Sequence, residues 1–304
     1  MNHLQVLVFA GLLFPALALA QTAVTLHHVH GLAYSADGQQ LMIPSHHGLA
    51  IYRDGKWSKA PDPAHDYMGF AAARTRLYSS GHAAEGSGLV NPFGLIRSTD
   101  GGRTWQKLGL EGETDFHILG VSWNSNAIYV WNPEPSSKMR AAGIHFTLND
   151  GFTWQRTAAR GIRGKPHAIA VHPSDPKIVA IATAAGIFIS RDSGESFEPV
   201  AAGGQGLTVY FDLDGKHLWH SSHDGRPRLT RTALQGGAST AASLPALTND
   251  AVAYVAQNPA TQEEYAIATF ERSVFLSRDG WRTWRQIARN GKGLQGVNPD
   301  SRSK

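Results

Sequence analysis

The chain reads as an all-β protein, a six-bladed β-propeller, on three observations. First, one eight-residue pattern occurs four times: Ser98-Thr-Asp100-Gly-Gly102-Arg-Thr104-Trp105, Thr147-Leu-Asn149-Asp-Gly151-Phe-Thr153-Trp154, Ser190-Arg-Asp192-Ser-Gly194-Glu-Ser196-Phe197 and Ser277-Arg-Asp279-Gly-Trp281-Arg-Thr283-Trp284. The starts lie 49, 43 and 87 residues apart, a period near 45 with one degenerate copy in the last gap. That period is the length of one four-stranded blade. Second, short strand-like runs fall into six sets of about four. Third, 32 glycines serve a turn-rich chain, and no stretch carries a helical period.

The blades follow in order. Their first strands are read near His28–Tyr34, Tyr67–Ala73, Phe116–Trp123, His167–His172, Leu207–Asp212 and Ala251–Gln257. The second strands are Gln40–Pro44, Leu77–Ser80, Ala127–Trp131, Ile178–Thr183, His217–His220 and Glu264–Thr269. Leu49–Arg53, Gly94–Ser98, Gly143–Thr147, Gly186–Ser190, Arg228–Thr232 and Ser273–Ser277 make the third, each running into a repeated turn or its remnant. Asp54-Gly55-Lys56-Trp57 is a worn copy in blade 1, and blade 5, with its small-residue stretch Gln235–Ser243, has lost its copy. Fourth strands start at the turn aromatics. The ring closes if Thr22–Leu26 pairs with the last blade. The single propeller domain is expected over 21–290, with a frayed tail at 291–304.

The repeated pattern has a local logic. An Asp or Asn side chain and two hydroxyls can bond the backbone of a tight turn, the glycine accepts a positive φ, and the aromatic opens the next strand. The pattern resembles the Asp box, or BNR repeat, of sialidase-like β-propellers. That resemblance implies a structural role for the turns, on the side of the propeller away from a ligand. With its start at His28-Val-His30-Gly31-Leu32-Ala33 and the stretch from Phe93-Gly94-Leu95 to Trp105, the chain is similar to exported bacterial propellers of a sialidase-like, glycosyl-hydrolase-like kind.

Residues 1–20 read as a signal peptide. Leu4 to Leu19 is apolar but for Gln5, and Ala18-Leu19-Ala20 gives the small-x-small cleavage pattern. A periplasmic or secreted, monomeric protein without a membrane span is expected. The chain has no cysteine, which removes disulfides, thiolate nucleophiles and thiolate metal sites. The formal charge of +4 comes without any Lys/Arg run, so nucleic acid is not an expected partner.

Histidine is the unusual residue: fifteen in all, fourteen of them beyond residue 20. In a propeller, the loops before first strands and after second strands open on one face around the central channel. That face should gather His28, His30, His46, His47, His65, His82 and His117. Converging neutral imidazoles suit Cu or Zn better than Ca or Mg. Three or four of the seven would ligate, with Asp66 and Asp115 orienting rings from behind. The expected ligand is therefore a metal ion, or otherwise a small molecule or glycan. No other cofactor is expected.

The sialidase-like resemblance also implies glycoside hydrolysis. Asp66, Asp115 and Glu271 are the candidate catalytic carboxylates, Tyr254 with Glu271 a candidate nucleophile pair, and Arg140, Arg163 and Arg272 a candidate carboxylate clamp. The family's Arg-Ile-Pro signature is met only by Met42-Ile43-Pro44. The match is by residue type, so the binding role ranks above the hydrolase.

Overall fold

A computed structural model describes residues 24–61, 64–201 and 204–295. The signal-peptide reading and the end of the tail, 296–304, lie outside the described residues. Those described form six antiparallel sheets of four or five strands, in sequence order around a central channel. Among them no helix is long and apolar enough to cross a membrane. The predicted six-bladed propeller is the observed fold.

Burial explains the strand composition. The middle strands of blade 4, Val179–Thr183 and Gly186–Ser190, are buried at every position because neighbouring blades cover both faces. They are therefore continuous apolar runs rather than alternating ones. Outer strands such as Gln155–Arg156 and Ser239–Ala241 are exposed and polar, as rim edges must be. The core consists of apolar layers between blades. One packs Phe70, Leu77 and Ile96 of blade 2 against Met42 and Leu49 of blade 1.

Ring closure comes from the start of the described chain. Val24 and Leu26 are buried between blades 6 and 1 with Ile287, Ala266 and Tyr34. The Leu26 N–H donates to the Gly291 carbonyl at 2.7 Å, the Gly293 N–H to Val24 at 3.0 Å, and Thr25 pairs with Lys292. Lys292–Gly293 thus forms a fifth strand of blade 6, so ordered pairing runs past the expected boundary at 290. The condition set for closure, pairing of Thr22–Leu26 with the last blade, is met at residues 24–26, while Thr22 and Ala23 lie outside the described residues.

In the first repeated turn, Ser98 Oγ accepts the Gly102 N–H at 2.8 Å, and Asp100 accepts the N–H groups of Arg103 and Thr104 and the Thr104 hydroxyl. Blades 3, 4 and 6 repeat the arrangement. In blade 6 the glycine comes one place early, and Trp281 itself adopts φ 60°. Packing holds it there: its ring lies edge-on to Trp219 and Tyr265, with the Arg231 guanidinium 4.7 Å above it. Asp54-Gly55 is not a worn copy of this network. With φ 50° and 78° it is a two-residue hairpin turn, the kind whose twist matches antiparallel strands.

A histidine and carboxylate face

The side chains of interest lie on the opposite face from these turns. His28 and His30 precede the short first strand of blade 1, Ala33–Tyr34, instead of lying within it. They are still two residues apart in extended chain, so the rings share a side, stacked 5.8 Å apart with an interplanar angle of 6°. The His30 N–H donates to Pro44 at 3.2 Å, which brings this segment beside the second strand. His46 sits in the tight connection Ser45-His46-His47-Gly48, where Gly48 has φ 90° and its N–H donates to the His65 carbonyl. That turn lifts His46 over the pair: its ring centroid is 4.4 Å from that of His28 and 4.8 Å from that of His30.

One potential ligand atom from each of His28, His30 and His46 lies within 4.8 Å of the other two. Asp66, opening blade 2, has a carboxylate oxygen 3.2 Å from His46 Nδ1, a pairing that leaves Nε2 uninvolved. His30 is the most enclosed of the three. Burial, with His46 beside it, pushes its pKa down to about 4, which keeps the ring neutral at physiological pH. His30 Nε2 and Asp66 Oδ1 are both buried without a hydrogen-bond partner.

A second group stands beside the first. Asp115 Oδ2 is 2.9 Å from His82 Nε2 and 3.5 Å from His117 Nδ1, and the other nitrogen of His82 is 2.8 Å from Asn91 Oδ1. Asp115 Oδ1 is buried and unpartnered. His30 and His117 both reach the mouth of the central channel, a cavity of about 160 Å³. Among the described residues, no Asp, Glu, Lys or Arg lines that channel.

The other sequence candidates separate from these groups. His65 is a core residue: its Nδ1 accepts the Ala84 N–H at 2.9 Å, and its ring packs edge-on to Tyr67 and Phe93. His47 turns away from the trio to meet His27, 4.5 Å between centroids. Sequence reading passed over His27, although it opens the run of histidines. Glu271 lies on blade 6, its N–H donating to Asp250. Burial pushes the Tyr254 phenol up to about 12, and no hydrogen bond among the described residues joins it to Glu271. The Arg272 guanidinium donates to the His27 carbonyl.

Another grouping with metal-like spacing, Asp212 with Asp214 and His217, lies on the turn side. Its central carboxylate is already committed. Buried Asp212 accepts from Trp219 Nε1 and the Tyr265 hydroxyl, and Arg231 neutralises it at 2.5 Å. A cation there would have to displace a guanidinium.

No family model matches the chain. A xyloglucanase from Paenibacillus sp. is 27% identical over 203 residues, which is 62% of this chain but 19% of the xyloglucanase. The chain therefore spans about a fifth of that relative. Among solved structures, a GH74 enzyme from Niastella koreensis aligns with TM-score 0.61 and 17% identity over 88% of this chain and 46% of its own. A gluconolactonase from Xanthomonas campestris aligns with TM-score 0.60 and 17% identity, over 84% and 87%. What these structures share with this chain is the propeller fold.

Proposed function

We propose that this is an exported propeller whose central face binds a transition metal, copper or zinc, in a binding or metal-handling role. His28, His30 and His46 are the ligands, and Asp66 positions His46. The observation that carries the reading is the convergence of three imidazoles, one of them enclosed, neutral and without a protein partner for Nε2. Three nitrogen ligands with space for a fourth suit both ions, and copper stands highest in the divalent affinity order.

The test is metal analysis of untagged protein, followed by calorimetry with Cu²⁺ and with Zn²⁺. We expect saturable binding at neutral pH that weakens in acid, because an imidazole ligates only in its neutral form. His46→Ala or His30→Ala should weaken it more than about 100-fold, exceeding the usual effect of losing a supporting residue. Exposed His223→Ala should leave it unchanged. Equal binding by all three variants overturns the assignment.

Glycoside hydrolysis is the second reading, favoured by the local similarity to a xyloglucanase. Against it stand the absence of charged side chains along the channel and the engagement of Asp66 and Asp115 by imidazoles. Release of reducing sugar from xyloglucan that disappears in Asp115→Asn would reverse the ranking.

A further inference from the structure

The trio is only half of what the face presents. We infer that a second divalent-cation position lies beside it, formed by Asp115, His82 and His117.

The geometry around Asp115 points to a cation. Two ligands each about 2.1 Å from a zinc-like ion, at right or tetrahedral angles, sit about 3.0–3.4 Å apart. Asp115 Oδ2 lies 2.9 Å from His82 Nε2, an ordinary ion-pair distance just short of that spacing, and 3.5 Å from His117 Nδ1, just beyond it. The other carboxylate oxygen is buried with no protein donor, an uncommon condition for an atom that strong donors would stabilise. A cation chelated by both carboxylate oxygens would meet the rings on the Oδ2 side and give Oδ1 its missing partner. Asn91 fixes one side of the His82 ring through Nδ1 and leaves Nε2 aimed at the position.

The two imidazoles are not yet closed on each other. The only groups among the described residues with three ligand atoms mutually within 4.8 Å are the trio and the Asp212 group. His117 must therefore swing in as it ligates. Its side chain is 59% exposed and its Nδ1 lies 3.2 Å from the Asp115 backbone carbonyl, a contact it must give up as it turns, whereas the Asp115 side chain is only 15% exposed and serves as the anchor. A carboxylate with two imidazoles and open positions suits a borderline divalent ion. This position shares no residue with His28, His30 and His46, and so stands or falls separately from the reading above.

The test is the stoichiometry of Zn²⁺ on the full chain, by calorimetry and by metal analysis after gel filtration. Circular dichroism would verify the fold of each variant. We expect two equivalents in the native protein, one in Asp115→Asn, one in His82→Ala, one in His46→Ala and none in the Asp115→Asn/His46→Ala pair. His117→Gln provides a milder check should Asp115→Asn fail to fold, and it too should retain one equivalent. A single equivalent that His46→Ala removes and Asp115→Asn leaves intact overturns this inference while the trio stands. A single equivalent that persists in His46→Ala and disappears in Asp115→Asn does the reverse.

Discussion

The two faces of this propeller spend their polar groups differently. On the turn face, Asp100, Asp192 and Asp279 each accept a hydroxyl and backbone N–H groups from their own turn. These bonds, the hydroxyl first, hold all three carboxyls down at about 2. On the histidine face, Asp66, Asp115 and His30 each keep a buried atom with no partner. Both faces are rich in groups that ligate metals elsewhere. The difference teaches that residue type says little about binding unless the local chain leaves valence unused. A carboxylate satisfied within five residues stabilises a turn, whereas one approached only by histidine rings keeps an oxygen without a partner.

Three variants would break or sharpen that contrast. The largest effect is expected at Asp212, where metal-like spacing coincides with full satisfaction. Asp212→Ala strands the half-buried Arg231 and the buried Trp219 Nε1 and Tyr265 hydroxyl, and should cost about 3–5 kcal/mol in denaturant unfolding. Metal binding should survive as long as the protein folds. Loss of metal without loss of stability would place a site on the wrong face.

Next comes pH. Burial pushes His220 down to about 4, against an ordinary value of 6.5, so the folded protein keeps this ring neutral while the unfolded chain protonates it. Between those values the unfolded state binds more protons, so stability is complete above pH 6.5 and is lost as pH falls toward 4. His30 acts in the same direction. By pH 5 the His220 contribution amounts to a loss on the order of 2 kcal/mol. Denaturation of chelator-treated protein at pH 7 and pH 5 should show this fall, and His220→Leu should reduce it. An unchanged pH dependence in that variant would remove His220 from the account.

The smallest of the three concerns one turn. Ser98→Ala leaves the buried Gly102 N–H without its acceptor and should cost about 1–2 kcal/mol, with metal affinity unchanged. A shift in metal affinity would mean that the two faces are coupled through blade 2.

The fold was legible in the sequence because blades are local objects. A turn network closed within eight residues and strands joined to their sequence neighbours leave a period near 45, which any chain of six such units must display. Even the exception at Gly280 is visible, although only packing against Trp219 and Arg231 explains how Trp281 tolerates φ 60°. The histidine face was legible in outline, since loop position alone sorts most of its members. Membership of the trio was decided by tertiary structure. His46 and His47 are adjacent in sequence, yet one meets His28 and His30 under the hold of Asp66 and the other turns to His27. His65 carries the same imidazole as its neighbours, but Ala84 and Phe93 draw it into the core. Which way a side chain points depends on partners brought from other strands and other blades, and no local pattern records them.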